Sequence, residues 1–194
     1  MLTDLKSSLR PALVMTLLFA ALLGLAYPLA LTGIGQLTLP AQANGSLVRD
    51  AQGKVIGSSL IGQNFATPGY FHGRPSAAGK GNDALASSGS NLGPASKVLS
   101  DRVRADVATL RTSPDSLVPA DLVTTSASGL DPDISPEAAL YQVKRVASAR
   151  RMDPVQLRTL VQAQIEWPLL GFLGEPHVNV FALNRALDQA APRS

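Results

Sequence analysis

Apolar positions along this chain fall into one unbroken block followed by short periodic stripes. The block is Pro11–Leu31, PALVMTLLFAALLGLAYPLAL, which carries no charge. At about 1.5 Å per residue it covers roughly 32 Å, the thickness of a bilayer's hydrocarbon core. A transmembrane helix over 11–31 is therefore predicted, with 1–10 on one side, a linker over 32–45 and a domain over 46–194 on the other. A cleaved signal peptide has a shorter apolar region with small residues close behind it, whereas Ala41-Gln42-Ala43 lies far downstream. The block reads as a retained anchor.

After the linker the period changes. Ser46–Arg49 and Lys54–Gly57 flank Asp50-Ala-Gln-Gly53, the pattern of a β-hairpin, and 58–62 could extend its second strand. Residues 63–92 then run without either period, a length of loop that usually has a task. From Pro94 a helix is predicted by the stripe Leu99, Val103, Val107 and Leu110, with Arg102, Arg104 and Arg111 mostly off it. A strand or an extended loop follows over 122–128. Ser135-Pro136-Glu137 and Asp153-Pro154 are N-cap signatures. The first opens a helix burying Ala139, Val143, Val146 and Ala147 and ending at Arg150 and Arg151. The second opens one with Leu157, Leu160, Val161 and Ile165, ended by Pro168. His177–Leu183 alternates like a strand and leads into a short helix through Leu187. The expected fold is one transmembrane helix plus a mixed α/β (α+β) extracytoplasmic domain with short strands and three to four helices.

Charge sets the expected orientation. Lys6 and Arg10 precede the block, and no basic residue follows until Arg49, which predicts a cytoplasmic N-terminus and an exported domain at a bacterial inner membrane. A net charge of +3 is too small to suggest a nucleic-acid partner. With no cysteine in the chain, disulfides, thiol catalysis and most structural zinc sites are excluded.

Candidate chemistry is sparse. Gly73–Gly81 misses a phosphate-binding loop, because five residues separate Gly73 from Gly79-Lys80 and Gly81 stands where a hydroxyl is needed. Ser87–Ser96, SSGSNLGPAS, precedes a predicted helix start and could meet an anion there through Ser90 and Asn91, or could simply cap the helix. His72 and His177 lie in unrelated contexts, and Asp131 and Asp133 flank a proline as turn residues do. No catalytic residue and no metal ligand is assigned. Phe65, Tyr70, Phe71, His72 and Arg74 cluster in the long loop. They suit either a partner interface or a clasp that pins the loop to the core.

Several segments occur together in order: Tyr27-Pro28, Gln42–Ser46, Leu60–Phe65, Tyr70–Ser76, Ser88–Gly93, Thr125–Asp131, Arg145–Arg150 and Val178–Asn184. Together they resemble the KdpC family, the C subunits of the Kdp potassium-transporting ATPase, over nearly the whole chain. The resemblance implies a non-catalytic accessory subunit of an ATP-driven, high-affinity potassium importer. Its partners would be a channel-like A subunit, a P-type ATPase B subunit and a small F subunit. It also implies a part in assembly and a chaperone role that raises the B subunit's ATP affinity. ATP is then the complex's substrate, with at most a transient contact here. Asp133 departs from the histidine expected in many members at that place. The alternative is a membrane-anchored periplasmic hydrolase or binding module.

Overall fold

The computed structural model describes residues 2–190, and the chain divides between Val55 and Ile56 into two units. The first is dominated by one long helix. Helix α1 (Leu2–Ala21) passes through a π-helical turn, Leu22–Ala26, into α2 (Tyr27–Thr38). Pro28 explains the wide turn, since it has no N–H for the carbonyl of Gly24. The ladder adjusts ahead of it, with the Tyr27 N–H donating to the Leu22 carbonyl, five residues back. The apolar, membrane-length stretch runs from Lys6 to Thr38 and is wholly exposed. It therefore continues helically through residues where a linker was expected, and a short α3 (Pro40–Ala43) follows.

Strands β1 (Leu47–Arg49) and β2 (Val55–Ser58) pair as a two-stranded sheet. Asp50 closes the turn between them, its Oδ1 accepting from the N–H groups of Gln52 and Lys54. Residues 59–62 leave the strand. A Cβ at Gly57 would come within 2.9 Å of the Phe181 ring, so this position admits no side chain without movement.

The second unit holds α4 (Lys97–Leu110), α5 (Pro136–Arg150), α6 (Pro154–Ala163) and α7 (Val180–Ala190). A three-stranded antiparallel sheet has β5 (His177–Asn179) between β3 (Asp133–Ile134) and β4 (Ile165–Glu166). Ser135 and Asp153 cap α5 and α6 as their sequence signatures predict, accepting from Ala138 N and Val155 N. The core gathers Val143 and Val146 of α5, Leu157 and Val161 of α6, Val178 of β5, and Leu183 and Leu187 of α7.

Three expectations change. Strand β5 stops at Asn179, because Asn179 Oδ1 accepts from Ala182 N and so starts a helix at Val180. Helix α6 stops at Ala163, so Ile165 of its predicted stripe lies in β4 instead, while residues 122–128 take the loop of their two predicted forms after a 3-10 turn over Ala120–Leu122. The helix expected from Pro94 begins only at Lys97, capped by Ser96, and none of its residues is fully buried.

Candidate functional site

The loop over 63–92 is held in place by side chains of α5 and α7. Two buried amides do most of this work. Asn184 accepts from Phe71 N and donates to Phe71 O, both at 2.9 Å. Gln142 does the same for the next residue, accepting from His72 N at 2.8 Å and donating to His72 O at 3.0 Å. Consecutive residues are thus gripped by α7 and α5 in turn, as if each amide were a neighbouring strand. Around them Arg145 donates to Pro68 O, while Arg150 donates to Gly69 O and lies 4.7 Å from the Tyr70 ring centroid. Asp188 joins the set, accepting from Tyr70 Oη at 2.8 Å and from Arg150 Nη2 at 2.6 Å. Arg150, at the C-terminal end of α5, is turned inward.

The aromatic cluster accordingly forms a clasp. Phe71 is fully buried in the core, so its ring offers no surface to a partner in this conformation. Phe65 packs on Tyr70 with ring centroids 5.1 Å apart, and both are partly buried against the core. Arg74 is spent internally, its Nη1 on Asp131 Oδ2 at 3.1 Å and its Nε on Thr124 O at 3.3 Å.

A cavity of about 340 Å³ opens beside the clasp, lined among others by Asn64, His72, Arg74, Lys80, Asn82 and Gln142. Burial holds the His72 imidazole below its ordinary pKa; the Thr67 carbonyl opposes this and the charge of Arg145 adds to it. The ring is neutral at pH 7, with Nε2–H donating to Thr67 O at 3.0 Å. Amides and cations there suit hydrogen bonding to a polar group. Ser76, the hydroxyl side chain in the cavity lining, donates to the Gly129 carbonyl rather than to a carboxylate or an imidazole.

The hydroxyl-rich stretch takes another route. Ser88 N donates to Ser128 O, and Ser87 Oγ donates to the same carbonyl. A Cβ at Gly129 would meet Ser88 O at 2.6 Å, and φ there is +67°. The segments Ser88–Gly93 and Thr125–Asp131 are thus packed against one another. Ser90 and Asn91 lie ahead of the Ser96 cap rather than in the first helical turn, and Asn91 is exposed with φ +52°. The one basic group at that helix start, Lys97, pairs with Asp101.

One cluster had no signal in the sequence. On the three-stranded sheet, His177 Nε2 lies 3.7 Å from Glu166 Oε2 and 4.0 Å from Asp133 Oδ2. Its pKa is raised, first by the Glu175 carbonyl that accepts from Nδ1–H and then by the neighbouring carboxylates, against slight burial. Asp133 is raised too: burial outweighs the attraction of His177 and the Asn179 hydrogen bond. Only the register Glu166↔His177 and Asp133↔Asn179 brings these groups together. Among the described residues no group of His, Cys, Asp and Glu is arranged to hold a metal ion.

With no reaction centre in view, comparison with known proteins decides the assignment. The family model KdpC, described as "K+-transporting ATPase, c chain", matches residues 9–189. The chain belongs to the KdpC family. Among curated KdpC proteins, the potassium-transporting ATPase KdpC subunit of Caulobacter vibrioides is 62% identical over 187 residues, covering 96% of this chain and 95% of its own length. The KdpC subunit of Bradyrhizobium diazoefficiens is 56% identical over 198 residues, covering 95% and 98%. The KdpC match runs through both the apolar helix and the clasp.

Proposed function

We propose that this chain is the single-span accessory subunit of an ATP-driven potassium-import complex, and that other subunits carry out its chemistry. The observation that carries this reading is the extent of the family match: it begins at residue 9, just ahead of the anchor, and ends at 189. Anchor and domain therefore share the KdpC pattern as one chain. In this reading residues 1–10 are cytoplasmic, 11–31 cross the inner membrane, 32–45 link, and 46–194 form the periplasmic domain. Lys6 and Arg10 on the inner flank support that orientation.

The apolar helix would pack against lipid and neighbouring subunits. The domain would dock on the channel-like A subunit near its outer mouth, and the small F subunit would complete the assembly. ATP would stay with the B subunit. Any gain in ATP affinity caused by this subunit then has to be transmitted across the membrane, as a coupling between two states of the complex. The hydrolase alternative gains no support from the cavity, where the lining hydroxyl, Ser76, donates to a backbone carbonyl.

Co-purification tests the assignment. From potassium-starved cells expressing the whole system, this chain is expected to emerge in mild detergent with a channel-like subunit and a P-type ATPase. Recovery of the chain alone under those conditions would refute it.

A further inference from the structure

Between β4 and β5 the chain makes an uncharged excursion, Trp167-Pro-Leu-Leu-Gly-Phe-Leu-Gly174. Five large apolar side chains stand in solvent there: Trp167 at 73%, Leu169 at 70%, Leu170 at 74%, Phe172 at 71% and Leu173 at 52% exposure. Such a density of exposed apolar groups in one loop marks an interaction site. The tip is nevertheless well formed. Leu169 and Leu173 pair as a bridge, Leu173 N donates to Leu169 O, and Gly171 N donates to Pro168 O. Leu170 is held at φ +57° beside Gly171 at +79°, so a leucine sits in the left-handed region with its side chain exposed. Backbone strain of this kind collects at binding sites.

We propose that this hairpin tip is a preformed plug that seats in an apolar pocket, rimmed by basic side chains, on a neighbouring subunit of the same transporter. The proposal rests on the subunit reading above. Nothing among the described residues covers the tip. Charge then chooses among outside occupants. Glu166 and Glu175 stand exposed at the base of the hairpin, where His177 Nε2 lies 3.7 Å from Glu166 Oε2 and 4.0 Å from Asp133 Oδ2. An anionic lipid surface would repel that acidic collar, because hairpins that dip into such membranes are flanked by Lys or Arg. Two-fold pairing of the tip with a second copy would place both collars together. A protein pocket with a basic rim fits both the apolar tip and the acidic base, and a tip already closed by its own hydrogen bonds loses little freedom on docking.

The test uses the full chain expressed with the rest of its transporter. Leu170→Ser/Phe172→Ser and, separately, Glu175→Lys alter only exposed side chains, so the melting temperature of each purified subunit should match the wild type. The serine pair is expected to lower recovery of intact complex at least tenfold, and the lysine variant to lower it severalfold with loss of its salt sensitivity. Wild-type recovery of complex from the serine pair would overturn the plug while leaving the subunit reading intact. Failure of the wild-type chain itself to co-purify would overturn both. Trp167 is the chain's single tryptophan. Quenching of its emission by brominated lipid in vesicles holding this chain alone would overturn the plug in favour of a membrane contact. A dimer of the isolated chain that the serine pair dissolves would overturn it in favour of self-association.

Discussion

Asn184 shows how one side chain can decide the path of a long loop. Fully buried, it supplies both a donor and an acceptor to Phe71, which lies 113 positions earlier. Replacing it with leucine would strand the Phe71 N–H and C=O together, at about 1–3 kcal/mol for each unsatisfied group. Asn184→Leu is expected to destabilise the protein by roughly 2–5 kcal/mol, measured by urea unfolding. The two histidines make opposite pH predictions. His72 is shifted down, so the folded state resists its protonation and stability falls as pH drops below its unfolded pKa. His177 is shifted up, so its contribution is fully present at acid pH and is lost as pH rises through its folded pKa. Measured between pH 5 and 8.5, unfolding free energies should rise more steeply with pH in His177→Gln than in wild type, and less steeply in His72→Gln. Parallel profiles for all three proteins would refute both assignments.

Among the four α-helices of the second unit, α4 alone has no buried residue. Its stripe of Leu99, Val103, Val107 and Leu110 is only half covered, and Arg102 provides the main tie, donating to Thr125 Oγ1 at 2.6 Å and to Val123 O at 3.4 Å. Amides of α4 should exchange with deuterium faster than those of α5, and Arg102→Ala should widen the gap with little change in global unfolding. Helices α5 and α6 were legible in the sequence because cap, proline and apolar period agree at each. Strand β5 was overextended because Val178, Val180 and Ala182 alternate as in a strand while Val180, Leu183 and Leu187 keep a helix's face; Asn179 decides between them through a cap that no pattern displays. The clasp was visible as a cluster of aromatics, but its grip comes from Gln142 and Asn184, polar residues on otherwise apolar faces that look like surface positions in a linear reading. The hairpin tip was missed because Pro168 was read only as the end of a helix, although eight uncharged residues with Trp and Phe were there to be noticed.

For the whole molecule, the decisive property is which side of the membrane the domain occupies. The proposed orientation predicts that protease added to spheroplasts digests the domain and leaves an anchor fragment, whereas full protection would reverse the topology. Without cysteines, the domain is held by burial, hydrogen bonds and ion pairs and by no disulfide. In this chain that burden falls on the junction of a long irregular segment with two helices, rather than on its sheet, whose strands are two or three residues long.

That junction also sets an order of events during synthesis. The partners of Tyr70 and Phe71 lie on the last helix, and Asp188 is almost the final described residue. Ribosomes add about 5–20 residues per second, so the early segment waits several seconds for residues that would close around it. Throughout that interval Phe71 has no core to enter, and the nascent domain is a client for holding factors and proteases at its destination. A stop codon at Asn184 would remove both Asn184 and Asp188, and leave Tyr70 and Phe71 without the partners that fix them.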